Sequence, residues 1–263
     1  MSGPPLVVKF GGSTLGNHDT SLKDLVTLQK EGVKVVVVHG GGNVISEWMQ
    51  RQGIPPRFVN GLRVTDAPSL DIVVAVLTGL VNKELVCLLH QLGGRAIGIS
   101  GIDGGLLEAY IANPELGYVG EITKVNPEPL KAILDCGFIP MMAPLAIHRH
   151  DGSEHAGEPL NINGDTVAGE VARALAAERL IFLTDVPGIM DGSGRVVPWL
   201  DRRRAHILRQ SGVVRGGMIP KLDACLRALD KAAVADIIDG RQPEALLDCV
   251  RGRASGTRVV GSS

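Results

Sequence analysis

The chain has 263 residues, with 27 Lys and Arg against 28 Asp and Glu, so its formal net charge at pH 7 is −1. This balance provides no basic field that could attract nucleic acid or an anionic membrane, and it argues against both as partners. Hydrophobic residues make up 44% and aromatic residues 3%, which predicts a globular core of Val, Leu, Ile and Ala. The length suits one large α/β domain or two closely joined lobes.

We find no apolar stretch that approaches the length of a membrane span, and the first ten residues, MSGPPLVVKF, do not form a signal peptide. We therefore expect a cytoplasmic protein. The cysteines are scattered and form no CxxC pair. Cys87 and Cys225 lie in apolar helical patterns, which indicates buried free thiols.

Short aliphatic runs bounded by Gly, Asp or His recur along the chain and predict buried strands. They are Pro5–Phe10, Val33–Val38, Ala96–Ser100, Phe138–Met142, Leu180–Thr184 and Ala235–Ile238. Amphipathic stretches of helical length separate most of these runs. They are His18–Glu31, Asn43–Gln52, Pro68–Leu92, Pro127–Cys136, Gly164–Ala177 and Gly217–Lys231. The alternation predicts an α/β fold, with a mainly parallel sheet and helices on both of its faces.

Two segments interrupt this alternation. Residues Ile54–Asp66 are rich in turn formers and Leu106–Thr123 alternates like a hairpin, so both are interpreted as insertions over one sheet edge. The polar segment Arg149–Pro159 is the expected boundary between an N-lobe, residues 1–150, and a C-lobe, residues 151–263. The histidines around it could bind a metal, but ligands need converging geometry. We interpret it as a solvated turn and predict no protein metal site.

A lysine lies near the end of the first predicted strand, and two glycines follow it closely. Lys9 is costly in a buried strand unless an anion meets it. Gly11 and Gly12 allow backbone N–H groups to approach such an anion closely. A lysine that reaches solvent past a glycine turn would give the same pattern, so this motif alone does not decide between the two.

A second glycine-rich loop, His39–Gly42, follows the next predicted strand and leads into a helix. Such loops bind anions because unpaired N–H groups and the helix dipole point the same way. The chain has no GxxxxGK[ST] motif, and no GxGxxG follows either strand, which argues against a Walker or nicotinamide site. Both loops fall at one edge of a parallel sheet, where open α/β sheets bind ligands.

Three further motifs place polar groups at strand ends and helix starts. Asn161–Asp165 opens a helix with two Asn and one Asp, although a single cap would suffice. Leu183–Ile189 ends a strand in a Pro-Gly turn. Gly216–Lys221 places a lysine in the first turn of a helix, where a cation opposes the helix dipole unless an anion lies nearby. We interpret Lys221 as functional.

Together these motifs resemble the amino acid kinase family, and within it the branch whose members phosphorylate N-acetyl-L-glutamate. The matching segments are Lys9–Gly12 (KFGG), His39–Gly42 (HGGG), Phe58–Asp66 (FVNGLRVTD), Asn161–Asp165 (NINGD), Leu183–Ile189 (LTDVPGI) and Gly216–Lys221 (GGMIPK). The resemblance runs from Leu6 to Val260. It implies a three-layer αβα sandwich with an open, mainly parallel sheet of roughly eight strands. It also implies an N-lobe for the acyl amino acid and dimerisation, and a C-lobe for ATP.

The resemblance also implies roles for individual residues. Lys9 and Lys221 would neutralise the phosphoryl group in flight, and Asp165 would hold both lysines in position. Substrate contacts are implied for Gly41, Gly42, Arg63 and Asn161, with Arg63 on a substrate carboxylate, and phosphoryl contacts for Gly11 and Gly12. The nucleotide pocket is implied to comprise Asp185, Val186, Pro187, Gly188, Ile189, Met190, Val213, Val214 and Arg215.

The chemistry of the implied reaction is consistent with these roles. A carboxylate nucleophile has a pKa of about 4.3, so it is ionised at neutral pH and needs no catalytic base. Its attack on ATP brings two anions together, and catalysis then depends on positioning and charge neutralisation. We expect ATP and Mg²⁺ as cofactors, and we predict that nucleotide phosphates hold the metal chiefly, with Asp165 nearby.

Two alternative functions stay open. A kinase of lysine synthesis that phosphorylates a carrier-linked aminoadipate would share the fold and the lysines, although Phe58–Thr65 and the neutral net charge favour N-acetyl-L-glutamate. A non-catalytic amino-acid sensor could lose its lysines at no cost to folding, so the presence of Lys9, Asp165 and Lys221 together favours catalysis.

The resemblance also bears on assembly and regulation. Relatives that arginine inhibits carry an extra N-terminal helix, whereas the first strand here is predicted to begin about five residues into the chain. We therefore expect a homodimer that is insensitive to arginine. The stretch Pro68–Leu92 is long and apolar enough to form a dimer face, and it could equally be core.

Overall fold

The structure is a computed structural model that describes residues 3–11, 20–59, 61–149, 152–253 and 256–261. The strands in these ranges are β1 Leu6–Phe10, β2 Val35–His39, β3 Phe58–Val59, β4 Leu62–Arg63, β5 Ala96–Ser100, β6 Leu107–Ile111, β7 Gly120–Val125, β8 Ile139–Ala143, β9 Leu145–His148, β10 Pro159–Asn161, β11 Arg179–Thr184, β12 Trp199–Asp201, β13 Val234–Asp239 and β14 Thr257–Val260. The α-helices are α1 Ser21–Lys30, α2 Gly42–Arg51, α3 Ala67–Val74, α4 Asn82–Gln91, α5 Glu128–Asp135, α6 Gly164–Ala174, α7 Arg202–Gln210, α8 Met218–Ala228 and α9 Ala245–Val250. A π-helical segment, Ala75–Val81, joins α3 to α4.

The central sheet of the described part of the chain has eight strands in the order β12-β14-β13-β11-β1-β2-β8-β5. Its pairs are parallel except β13 with β14, which is antiparallel. Helices pack on both faces, so the predicted αβα sandwich with an open, mainly parallel sheet is confirmed. The strand β1 lies between β2 and β11, which places its lysine near the middle of the sheet.

Alternate residues of the central strands face opposite layers of the core, because side chains along a strand alternate between its two faces. Val7, Val36 and Val38 belong to the cluster that includes buried residues of α5, α6 and α8. Val8 and Val37 belong to the opposite cluster, which includes residues of α1, α4 and α9. By the same alternation, Lys9 faces the α6 side of the sheet and His39 faces the α4 side.

The two predicted insertions form small sheets beside the main one. Leu106–Thr123 covers β6 and most of β7, which pair antiparallel as the alternation predicted, in a sheet of order β10-β9-β6-β7. The segment Ile54–Asp66 contains the short hairpin β3–β4. The expected lobe boundary, Arg149–Pro159, falls in the connection between the antiparallel strands β9 and β10. The division into lobes stays a prediction.

The long apolar helix corrects one sequence interpretation. Ala67–Gln91 forms a 25-residue helix that is long and apolar enough, by length and composition, to cross a membrane, so the statement that no stretch approaches that length was wrong. Leu77, Val81 and Leu85 on this helix are buried against the sheet, which is typical of a core helix. The cytoplasmic location stays a prediction.

Other sequence interpretations also change. Cys87 is exposed on α4 rather than buried, because its neighbours Leu85 and Leu89 occupy the inward face of that helix. Cys225 is buried and free, as predicted. The helices α7 and α9 were missed. The first buries Ala205 alone among its residues and so has no apolar stripe, and the second has six residues, too few for a helical period to be recognised.

Candidate active site

Three charged side chains from separate elements meet at the carboxyl end of β1. The Nζ atom of Lys9 lies 2.9 Å from Oδ1 of Asp165, in the first turn of α6. The Nζ atom of Lys221, in α8, lies 3.0 Å from Oδ2 of the same carboxylate. The bond from Lys221 has hydrogen-bond geometry, whereas Lys9 forms an ion pair that leaves Oδ1 without a well-directed hydrogen bond. The structure thus brings together the three residues that the sequence predicted as catalytic.

The charges in this cluster stabilise one another. Burial alone would raise the pKa of Asp165, but the charges of Lys9 and Lys221, with the hydrogen bond from Lys221, outweigh it and lower that pKa from 3.8. The carboxylate is therefore ionised at neutral pH. The side chains of Lys9, Lys221 and Asp165 are 10%, 18% and 6% exposed. Two ammonium groups so close together are tolerable in a buried site because the aspartate lies between them.

Local sequence explains how these side chains reach the site. Asn163 caps α6, because its Oδ1 accepts hydrogen bonds from the backbone N–H groups of Asp165 and Thr166. Asp165 is therefore not needed as the cap and can bind the lysines. Its position in the first turn also suits the positive end of the helix dipole.

The HGGG loop begins at the end of β2 and leads into α2. The N–H group of Gly40 donates to the carbonyl oxygen of Phe10 at 3.1 Å, which ties this loop to the end of β1. A side chain at Gly41 would meet Cδ2 of Leu77 at 2.8 Å, so a larger residue there would require the Leu77 side chain in the π-helical segment to shift. At Gly42, the first residue of α2, a Cβ atom would meet nothing within 4 Å among the described residues.

The other predicted phosphoryl contacts are only partly described. The N–H group of Gly11 donates to the carbonyl oxygen of Leu183 at 3.3 Å, across the pair β1–β11. Its contact with a phosphoryl group stays a prediction. Gly12 lies outside the described residues.

The predicted substrate residues Arg63 and Asn161 are connected through a threonine. Thr65 is fully buried and donates from Oγ1 to the carbonyl oxygen of Arg63 at 3.2 Å. The same hydroxyl accepts a hydrogen bond from Nδ2 of Asn161 at 3.1 Å. Sequence reasoning missed Thr65, because a threonine in a turn-rich segment carries no signal of its own.

Arg63 is positioned by several contacts with the HGGG loop and α2. Its Nη2 donates to the carbonyl oxygen of Gly42 and to Oγ of Ser46, both at 2.8 Å, and Nη1 donates to Sδ of Met49 at 3.2 Å. The guanidinium also stacks over the ring of Phe58, 4.8 Å from its centroid. Burial lowers the pKa of Arg63, yet arginine stays charged at any physiological pH.

The predicted nucleotide segment follows β11 in a tightly bonded turn. Thr184 donates from Oγ1 to the carbonyl oxygen of Val186 at 2.8 Å, and the N–H group of Ile189 donates to Oγ1 of Thr257 at 2.8 Å. Gly188 has a φ of +148° and lies close to Thr257, so other residues would be strained there.

The predicted nucleotide residues differ in how deeply they are buried. Ile189 and Val214 are buried in the same hydrophobic cluster, so their side chains hold the turn in place. The exposed members, whose side chains can contact a nucleotide, are Asp185, Pro187, Met190 and Arg215. Val186 and Val213 are half-buried.

No group of three or more His, Cys, Asp or Glu side chains that could hold a metal occurs in the part of the chain that the structure describes. Both carboxylate oxygens of Asp165 face a lysine. The residues present therefore fit a Mg²⁺ ion whose ligands are mainly phosphate oxygens and water, as is usual when this metal is bound with a nucleotide.

Because of the buried histidine in the HGGG loop, we expect the free energy of unfolding to depend measurably on pH. Burial lowers the pKa of His39 to about 4, and the charges of Lys83 and Lys9 also lower it, against the bond with Gly40. As the pH falls from 6.5 to 4, the unfolded chain protonates this histidine and the folded chain does not, so the free energy of unfolding falls by up to roughly 3 kcal/mol. Urea denaturation at pH 7.5 and pH 5 should show this loss in the natural protein and a smaller loss in His39→Asn. Equal losses would contradict the prediction.

Comparisons with known proteins agree with the fold. A model described as the amino acid kinase family matches residues 4–238. An acetylglutamate kinase from Dehalococcoides mccartyi is 44% identical over 97% of this chain and 94% of the relative. Another acetylglutamate kinase, from Synechococcus sp., is 45% identical over 100% of this chain and 91% of the relative. The crystal structure of smu.665 from Streptococcus mutans aligns with a TM-score of 0.81 and 28% identity, over 97% of this chain and 98% of that one.

The protein is an α/β protein whose mainly parallel αβα sandwich brings the HGGG loop and two lysines to the carboxyl ends of its strands, where open α/β sheets generally bind ligands. The family match extends over most of this architecture, including Lys9, Asp165 and Lys221. The chain belongs to the amino acid kinase family. The family that the sequence motifs resembled is therefore confirmed.

Proposed function

We propose that this protein is an ATP-dependent kinase that phosphorylates the side-chain carboxylate of N-acetyl-L-glutamate, giving N-acetyl-L-glutamyl 5-phosphate in arginine biosynthesis. The observation that carries the proposal is the carboxylate of Asp165 held between the ammonium groups of Lys9 and Lys221. The near full-length relatives named acetylglutamate kinase support the substrate.

The mechanism follows from the charges of the reactants. A carboxylate oxygen of the acceptor attacks the γ-phosphorus, the bond to the β–γ bridging oxygen breaks, and ADP leaves with the electron pair. Both reactants are anions, so the ammonium groups of Lys9 and Lys221 lower the barrier by neutralising charge around the transferred group. Asp165 positions the lysines and is not a base, because the acceptor is already ionised.

Different parts of the chain bind the two ligands. The N-lobe, residues 1–150, supplies the substrate contacts Gly41, Gly42 and Arg63, and Asn161 joins them through Thr65. The C-lobe, residues 151–263, supplies the nucleotide segments after β11 and before α8. ATP brings Mg²⁺ on its phosphates, which adds positive charge at the transferred group.

An ATP-dependent hydroxamate assay tests the function directly. We expect hydroxylamine to trap an acyl phosphate with N-acetyl-L-glutamate, and far less with glutamate, aspartate or aminoadipate. Trapping with none of these acceptors would overturn the proposed activity and favour a sensor. The carrier-linked aminoadipate kinase is the alternative that the named relatives do not favour.

Replacing Arg63 with lysine should raise the KM for N-acetyl-L-glutamate about 10- to 100-fold, with a smaller change in kcat. A hydrogen bond to a charged group contributes about 1.5–3 kcal/mol, and lysine cannot reproduce the planar fork. Steady-state kinetics with varied acceptor measures the effect. The matched control is Arg51→Lys on the exposed face of α2, where the partner is Glu47. An unchanged KM in Arg63→Lys would contradict the substrate contact.

We also propose that two copies pair through the long helix Ala67–Gln91. Leu80 and Leu88 on its outer side are 43% and 38% exposed. The helix packs beside β5, an edge strand of the described sheet, and an exposed edge with apolar neighbours is suited to a second copy. The natural chain should sediment as a dimer, whereas the double variant Leu80→Glu/Leu88→Glu should sediment as a monomer. A natural chain that sediments as a monomer would contradict the proposal.

A further inference from the structure

A buried polar chain connects the interior of the long helix to the HGGG loop. Asn82, the first residue of α4, is 1% exposed, and His39, at the end of β2, is 0% exposed. Nδ2 of Asn82 lies 3.0 Å from Nε2 of His39, and Nδ1 of His39 lies 2.9 Å from the carbonyl oxygen of Gly40. Neither side chain had a role in the reaction described above.

The donors and acceptors along this chain select one form of the histidine. Carbonyl oxygens can only accept, so the short contact with Gly40 requires that Nδ1 of His39 carries the proton. Nε2 must then accept, and Nδ2 of Asn82 is a donor. The amide is itself held by bonds to the carbonyl oxygens of Met141 at 2.7 Å and Ile99 at 3.3 Å. The two N–H bonds of this amide serve three acceptors, so the longer contact with Ile99 shares a hydrogen with one of the other two. The network is consistent with the neutral Nδ1–H tautomer, in which His39 meets an acceptor at Nδ1 and a donor at Nε2.

The orientation of the Gly40 carbonyl decides where the next amide points. The described residues contain no cis peptide bond, and in a trans peptide the N–H group points opposite to the C=O group of the same plane. The ring of His39 holds the Gly40 oxygen on its own side, the α4 side of the sheet. The N–H group of Gly41 therefore points away from the ring.

The helix that carries Asn82 also limits the movement of Gly41. The π-helical segment Ala75–Val81 ends one residue before Asn82, and such segments often occur at functional sites. Leu77 and Val81 in it would lie 2.8 Å and 3.4 Å from a Cβ atom at Gly41. The same helix thus contacts Gly41 by packing and holds His39 by a hydrogen bond.

We propose that His39 and Asn82 are positioning residues for phosphoryl transfer: Asn82 selects the Nδ1–H tautomer of His39, and the ring fixes the peptide plane that aims the Gly41 N–H group at the reacting groups. The inference rests on the proposed function for its kinetic effect, whereas the tautomer itself can be measured without any substrate. If His39 only filled space, the activity of the protein would not depend on which ring nitrogen of His39 carries the proton.

The first test is spectroscopic and needs no activity. Long-range ¹H–¹⁵N correlation NMR of the full chain at pH 7.5, with the His39 signals assigned by their loss in His39→Asn, should show the Nδ1–H tautomer alone. In Asn82→Leu the same signals should show a mixture of tautomers. Lys83→Met is the matched control, since Lys83 contacts the Oδ1 end of Asn82 at 3.0 Å, and its spectrum should match that of the natural chain. An Nε2–H tautomer in the natural chain, or no change in Asn82→Leu, would overturn the proposal.

The second test separates positioning from packing by two replacements of one residue. Asparagine can place an N–H donor where Nδ1 lies, whereas glutamine places its amide near Nε2 and loses the bond to Gly40. We expect His39→Asn to keep kcat within about threefold and His39→Gln to lose about tenfold or more, with KM less affected in both. Glutamine is closer to histidine in volume, so a role in packing alone predicts the reverse order. The reverse order, or equal kcat values, would overturn the positioning role.

The outcomes also distinguish this inference from the proposed function. If no acceptor is phosphorylated, the hydroxamate assay fails for the natural chain and for every variant, while the NMR result still decides the tautomer. If the natural chain is active and the two His39 variants follow the expected order, both proposals stand.

Discussion

Lys221→Ala is expected to lower kcat by about 10²- to 10³-fold, the effect typical of removing one group that stabilises transition-state charge. The ammonium group of Lys221 lies 3.0 Å from Oδ2 of Asp165, opposite Lys9, and its loss leaves the transferred phosphoryl group with one lysine instead of two. Steady-state kinetics with saturating ATP and N-acetyl-L-glutamate measures the change.

The free energy of unfolding of Lys221→Ala should change far less than its kcat. Asp165 keeps its ion pair with Lys9 at 2.9 Å, so the buried carboxylate is not left without a counter-charge. Lys131→Ala is the matched control, because Lys131 is an exposed helical lysine that pairs with Glu128, and its kcat should not change. A rise in KM at unchanged kcat would show that Lys221 binds the ground state and the transition state equally, which contradicts the assigned role.

Asp165→Asn is expected to reduce the free energy of unfolding by about 3–5 kcal/mol, the range for removing one partner of a buried ion pair. The neutral amide would leave the ammonium groups of Lys9 and Lys221 close together in a buried site with no negative charge between them. Activity should fall as well, because the lysines would repel each other out of position. Urea denaturation and kinetics at pH 7.5 measure both effects.

The dependence on pH provides a further check of this variant. The folded-state pKa of Asp165 is lowered, so its stabilisation is complete above the unfolded-state pKa of about 4 and is lost as the pH falls through the folded-state pKa. Asp165→Asn should lack this acid-sensitive contribution. Asp135→Asn is the control, since Asp135 pairs with Lys34 at the surface and should contribute at most about 1 kcal/mol. Equal losses in the two variants would contradict a central role for Asp165.

Six of the eight strands in the described central sheet, and the order of the motifs, follow from the sequence alone, whereas β12 and β14 were missed. Val35–Val38 is an unbroken β-branched run that suits a strand buried on both faces, and the predicted strands differ from the observed ones by at most two residues at an end. Asn163 caps α6 because a short polar side chain before an apolar helical stretch has few better partners. Local patterns of this kind are determined by neighbours in the chain, so they can be predicted without a fold.

The contacts between distant residues depend on the tertiary structure. Lys9 and Lys221 are 212 positions apart, and only the packing of α6 against β1 and of α8 against α6 brings both to one carboxylate. Sequence reasoning joined them through a family resemblance rather than through physics.

Thr65 and Asn82 were missed for the same reason, since an isolated polar residue in a turn or on an apolar helix has no local pattern that points to its partner. What the sequence determined by itself is the strand–helix alternation, the glycine turns and the caps, because these depend on residues close together in the chain. The fold decided which charges and hydrogen-bonding groups meet, because partners for buried polar groups are chosen by packing in three dimensions.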